Sequence, residues 1–187
     1  MNNLNKILAS ITFLFSLIIY IMTMAPTTSF WDCGEFIACS YTLGVPHPPG
    51  TPLYLLIGNV FSNLFFYIGD VGARVNLISP IVSAFSVMFL YLIIVQLINK
   101  WFKHKNDRVI SLSVYLSALI GSLLFAFTDS QWFNAVEAEV YGMSTFFTAI
   151  VVWLALKWSS NRQEKGNVKY IVFLLLTIAM SPMISMS

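Results

Sequence analysis

Charge is what this 187-residue chain has least of: Asp, Glu, Lys and Arg together make up 10% of it, against 58% hydrophobic residues. Mean hydropathy is +0.78. So few ionisable groups cannot clothe so much apolar side chain in water, which excludes an ordinary soluble domain. Two cysteines, Cys33 and Cys39, are too few for a disulfide framework. Of the two histidines, His104 sits in a basic loop, so His47 has no second histidine with which to share a metal. A nucleotide-binding glycine loop, internal repeats and low-complexity tracts are also absent, and no nucleic-acid partner is expected.

What the chain does have is long apolar runs. Residues 7–25, 77–98, 109–127 and 140–158 approach or exceed the roughly 18–20 apolar residues that cross a hydrocarbon core. A fifth run, 170–187, meets Pro182 near its end. Because the bilayer centre offers backbone groups no water, each is expected to be a helix. The reading is an all-α integral membrane protein, a single membrane domain over 1–187, with outer loops at 26–76 and 128–139. Lys6 before the first run and small residues after it fit a signal peptide, but the apolar core is long for that role, and an uncleaved anchor is expected.

The apolar stretch 53–68 is short, follows Pro46, Pro48, Pro49 and Pro52, and carries Asn59, Ser62 and Asn63 along one helical stripe. Counting it as a span would invert every later loop. If it lies in the interface instead, Lys6, Lys100, Lys103, Lys105, Arg108, Lys157, Arg162, Lys165 and Lys169 share the cytoplasmic side, leaving Arg74 outside. That split obeys the positive-inside rule. Asp32, Glu35, Asp70, Asp129, Glu137 and Glu139 then face outward, leaving Asp107 and Glu164 inside. The stretch is therefore read as an interfacial or re-entrant helix.

The two acidic loops hold the candidate chemistry. With a helix starting near Asp32, Asp32 and Glu35 share a face, either as a capping box or as a catalytic carboxylate pair. The prolines around His47 lack the amide donors of a regular helix or strand, so an ordered irregular turn is expected there. His47 is open to phosphate binding, proton donation, metal ligation or a structural hydrogen bond, the last being the commoner role of a lone histidine. In the second loop Asn134 and Glu137 fit a capping box at the mouth of the fourth span, whereas Glu139 lies unexplained at the edge of hydrocarbon, which points to function. Trp31, Trp132, Phe133 and Tyr141 fit an interfacial aromatic belt.

Four ordered motifs carry a resemblance: Trp31-Asp32-x-Gly34-Glu35-Phe36; the turn Gly44-x-Pro46-His47-Pro48-Pro49-Gly50-Thr51-Pro52-Leu53-Tyr54; Arg74-x-Asn76; and Trp132-Phe133-Asn134-Ala135-Val136-Glu137-Ala138-Glu139-Val140-Tyr141. Together they resemble a multi-pass family first catalogued as a domain of unknown function and since linked to protein O-mannosyltransferase activity. More distantly, the acidic pair, the His-Pro-Pro turn and the arginine before span two resemble lipid-phosphate-sugar glycosyltransferases of the GT-C fold.

The resemblance implies a GT-C-like bundle and an inverting glycosyltransferase, taking a sugar, mannose by analogy, from a polyprenyl- or dolichyl-phosphate to a protein Ser or Thr hydroxyl on the extracytoplasmic side. Asp32 is then the first choice as base and Glu35 the second. Arg74 would stabilise the leaving phosphate, His47 would assist or hold the turn, and Glu137 and Glu139 would orient sugar or acceptor. No metal or other cofactor is required, and a divalent ion between the acidic loops is left open. Membrane lipids are the remaining partners. Where such relatives continue with further spans, this chain ends at Ala179–Ser187, which reads as a truncation. Two other readings stand beside the transferase: an inactive fragment, and a transporter or flippase, for which the spans carry few ionisable residues. The Asn-, Lys- and Ile-rich style leans toward a bacterial inner membrane with the acidic loops in the periplasm, the endoplasmic reticulum being the eukaryotic counterpart.

Overall fold

The computed structural model describes residues 3–48, 51–101, 108–160 and 168–180. Within them lie nine helices: α1 (Asn3–Thr23), α2 (Cys33–Thr42), α3 (Pro52–Leu64), α4 (Val71–Asn76), α5 (Ile78–Trp101), α6 (Arg108–Ala126), α7 (Asp129–Ala135), α8 (Val140–Ser160) and α9 (Val168–Met180). An all-α membrane protein is the result. Four helical stretches are long and apolar enough to cross a bilayer: Asn3–Thr23, Val71–Trp101, Val109–Ala126 and Val140–Ser160. They fall on the first four expected spans. The fifth expected span begins within α9, and its last part, residues 181–187, lies outside the described residues.

The central element is α5, which packs against α1, α6 and α8, while α9 lies on α8. Small residues make close approach possible: Ser79, Ser83, Ala84 and Ser86 of α5 are all buried. Lipid supplies no hydrophobic drive between spans, so such contacts rest on packing and polar bonds across small side chains. One bond of that kind runs from the Tyr20 hydroxyl of α1 to the Ala126 carbonyl of α6, at 2.8 Å.

Of the stretch 53–68, residues 53–64 fold within α3, whose 13 residues rise only about 20 Å, short of a ~30 Å hydrocarbon core. Pro52 occupies the first turn of α3, where its missing amide costs no helical bond. This helix packs on α2 and α4. Together the three cover one apolar cluster of Cys33, Phe36, Tyr54, Val75, Ile78, Ala138 and Met143, which joins both acidic loops to the ends of α5 and α8. The backbone confirms the join, since the Ala25 amide donates to the Val136 carbonyl at 2.8 Å. At the opposite end of the bundle Lys100 of α5 reaches Ser159 of α8 at 3.0 Å. Among the described residues the carboxylates thus gather at one end of the bundle, with Arg74, while Lys100 and Lys157 lie at the other.

Candidate functional site

The site is built where α2 begins. Trp31, 85% exposed, takes a left-handed backbone conformation with φ 57°, costly for a residue with a Cβ and a mark of positions held by their surroundings. The chain then enters α2 through Asp32, whose side chain makes no capping bond. The capping-box alternative is therefore not realised: Asp32 leaves its carboxylate exposed, and Glu35 bonds elsewhere.

Glu35 reaches across to the proline turn. Its Oε1 accepts the His47 amide at 2.8 Å, and its Oε2 lies 2.6 Å from His47 Nδ1. Pro46 and Pro48 have no amide hydrogen, so between them His47 offers the backbone donor, and Glu35 takes it. The turn is thereby pinned to the first turn of α2. At the far end of α2, Leu43 in the left-handed region (φ 54°) ends the helix and turns the chain toward Gly44 and the prolines. Asp32, Glu35 and His47 each present a potential ligand atom, all within 4.8 Å of one another.

Electrostatics couple this trio to the second acidic loop. Bonding to His47 holds the Glu35 carboxyl below its ordinary value, and the same bond with the Glu35 charge raises the His47 imidazolium. Glu139, 5% exposed, is pushed up to about 7 by burial first, then by the Glu137 and Asp32 carboxylates. Glu137 is 1% exposed and its Oε1 has no hydrogen-bond partner among the described residues. The Asn134–Glu137 capping box is not formed: Asn134 bonds the Ser130 carbonyl inside α7 at 2.8 Å, and Glu137 lies between helices.

A raised His47 and a lowered Glu35 make an ion pair that is complete between the two titrations. It is lost as pH rises through the His47 value or falls through the Glu35 value. Glu35→Gln removes the charge while keeping an acceptor for the His47 amide. The His47 ring should then titrate lower than in the wild type, nearer an ordinary histidine, by NMR of a ring-labelled chain. An unchanged titration would show that the pair is not made in solution.

Arg74 was expected at a phosphate. Its guanidinium bonds backbone: Nε donates to the Ile68 carbonyl at 2.6 Å, and the terminal nitrogens donate to those of Ser62 and Gly69 at 3.1 and 3.2 Å. These bonds tie the end of α3 and the following loop to α4. Asp70 caps α4, accepting the Ala73 amide at 3.1 Å, and accepts the Thr27 hydroxyl at 3.2 Å. Asn76 is the residue that spacing alone undervalued. It is fully buried, donates to the Ala25 and Thr27 carbonyls at 2.8 and 2.9 Å, and lies 3.7 Å from the Cys33 thiol. A polar residue beside a long apolar run was the available signal. Of the expected aromatic belt, Trp31, Phe133 and Tyr141 are exposed, whereas Trp132 packs edge-on against Tyr20.

The fold and site define a multi-span helical membrane protein with a carboxylate–histidine centre at one end of its bundle. The family model described as Protein O-mannosyl-transferase TMEM260 N-terminal domain matches residues 32–186, and the chain belongs to that family. It is similar to the Protein O-mannosyl-transferase tmem260 of Dictyostelium discoideum, 27% identical over 154 residues, which are 82% of this chain and 17% of that protein. It is also similar to the Protein O-mannosyl-transferase TMEM260 of Mus musculus, 24% identical over 151 residues, 81% of this chain and 19% of that protein. The matched stretch thus spans less than a fifth of either relative. No solved structure matches the chain.

Proposed function

We propose that this chain carries the reacting end of a membrane glycosyltransferase that moves mannose from a polyprenyl- or dolichyl-phosphate to a protein Ser or Thr hydroxyl. The observation behind the proposal is the convergence of Asp32, Glu35 and His47 within 4.8 Å, with Glu139 near enough for Asp32 to raise its pKa. The relatives' names support both the sugar and the protein acceptor.

In the proposed reaction the acceptor oxygen bonds to the anomeric carbon as the carbon–oxygen bond to phosphate breaks, and the bonding electrons leave with the phosphate. A single displacement of this kind inverts the anomeric centre. Asp32 is the base: exposed and free of capping bonds, it takes the hydroxyl proton as the new bond forms. Glu35 has both oxygens engaged with His47 and acts by positioning. The imidazolium it sustains supplies positive charge for the departing phosphate, a role that suits Arg74 less because three of its five N–H groups already bond backbone carbonyls. Glu137 and Glu139 orient sugar or acceptor hydroxyls. The scheme needs no metal. By the distribution of lysine and arginine the acidic end faces away from the cytoplasm.

The test is transfer from polyprenyl-phosphate mannose to a Ser/Thr peptide by the purified chain in liposomes, read by mass spectrometry. A mannosylated product that disappears when the peptide hydroxyls are replaced by alanine supports the proposal; a folded chain that forms none overturns it. In the same assay Arg74→Ala should lower thermal stability and leave the KM for donor unchanged. A raised donor KM at unchanged stability would return Arg74 to the phosphate.

A further inference from the structure

At the end of the bundle opposite the acidic loops, α1, α5 and α8 line an open cavity of about 520 Å³. Its apolar wall is Leu92, Val95 and Trp153; its rim carries Lys100, Lys157 and the hydroxyls of Ser159 and Ser160. Neither lysine has a carboxylate partner among the described residues. Lys100 bonds the neutral Ser159 hydroxyl at 3.0 Å, and Lys157 lies 5.8 Å from the centroid of the Trp153 ring. The six carboxylates of the described residues all lie in the two loops at the far end, and the 24 residues of α5 separate the two ends by about 36 Å.

Two amide side chains in the wall of the same cavity point to what it holds. Asn5 is 6% exposed, and its Oδ1 has no partner among the described residues; nor does the buried Oε1 of Gln96, whose Nε2 donates to Ser160 at 3.1 Å. A buried amide acceptor without a donor is costly, and the cost is removed when a ligand brings one. The cavity thus offers positive charge at the rim, and a wall that is apolar in part and holds two unfilled acceptors.

We infer that this cavity binds an anionic phosphate ester that also carries hydrogen-bond donors, with the phosphate at Lys100 and Lys157 and the donors at Asn5 and Gln96. A glycerol phosphate meets the description. It reaches the cavity either as the headgroup of an anionic membrane lipid, whose acyl chains would follow the apolar wall into the bilayer, or as a soluble phosphate ester.

Native mass spectrometry of the whole chain in detergent tests the site, with dioctanoyl phosphatidylglycerol as probe and dioctanoyl phosphatidylcholine as comparison. Phosphatidylcholine has the phosphate but no net charge and no headgroup donor. The wild type should hold phosphatidylglycerol about ten-fold more tightly or better, and Lys100→Gln/Lys157→Gln should weaken it about thirty-fold, in line with two juxtamembrane charges. Asn5→Leu, which keeps both lysines, should weaken it several-fold and provides the reading if the double variant does not fold. Displacement of the lipid by millimolar glycerol 3-phosphate would assign the site to a soluble ester, and retention would assign it to lipid. Equal binding of the two lipids, or undiminished phosphatidylglycerol binding in folded Lys100→Gln/Lys157→Gln or Asn5→Leu, would overturn the inference.

Discussion

Asp32→Asn is expected to lower mannose transfer by about 10²–10⁴-fold, the range for removing a general base, while the unfolding temperature stays near that of the wild type. The separation follows from geometry. Asp32 stands at the start of α2 but makes no capping bond, so asparagine removes a proton acceptor without removing a structural hydrogen bond. An exposed substitution of this kind shifts stability by less than about 0.5 kcal/mol. Glu35→Gln behaves differently, because it weakens the hold on His47 and so acts on the turn as well as on the charge. A parallel fall of stability and transfer in Asp32→Asn would return Asp32 to a structural role.

Gly58→Ala should have the largest effect on the fold of any single methyl addition among the described glycines. A Cβ at Gly58 would stand 2.6 Å from the Ser40 Cβ and closer still to its hydroxyl. Rotating the hydroxyl relieves one contact; the Cβ moves only if α2 and α3 part. Alanine gains about 1 kcal/mol of helix propensity over glycine, and overpacking costs typically about 1–3 kcal/mol, so the net effect is destabilising. Parting the helices also strains the Asn59 amide, which donates to the Ser40 and Tyr41 carbonyls at 3.0 and 3.2 Å and closes the end of α2. Transfer should therefore fall with stability, since α2 carries Asp32 and Glu35. Ser40→Gly supplies the check: in that background Gly58→Ala should cost far less, measured as a double-mutant cycle of unfolding temperatures. An additive cycle would mean that the two helices are not in contact at this point.

How far the sequence revealed this arrangement depended on the range of the interaction. The spans were legible because lipid demands uninterrupted apolar length, and α3 was legible as a non-spanning helix because prolines precede it and charge balance forbids it to cross. The start of α2 beside Asp32 followed from local spacing. The same spacing suggested a capping box that the chain does not make. Glu35 is claimed by His47, 12 residues on, and local periodicity carries no information about a bond across a proline turn. Arg74 shows the converse limit. Its position before the second span suggested a phosphate, but the carbonyls of Ser62, Ile68 and Gly69 compete for it, and carbonyl directions cannot be read from residue types. The short helix α7 was missed because its seven residues lie within a polar loop, too short for a periodic signal.

The way the two acidic loops are joined sets an order for the chain's biosynthesis. Asn76 fastens the start of α5 to the carbonyls just after α1, so the first loop gains its anchor when the second span is in place. Its apolar underside, which includes Cys33, is closed in part by Ala138, Val140 and Met143, residues that leave the ribosome long after Asp32 has been delivered. A nascent chain halted within α6 should therefore expose Cys33 to a membrane-impermeant thiol reagent, and one extended through α8 should protect it. The acidic end of the protein is in this sense completed late, by the arrival of a segment about a hundred residues downstream, and intermediates in membrane insertion would carry Asp32, Glu35 and Asp70 without yet possessing the second acidic loop.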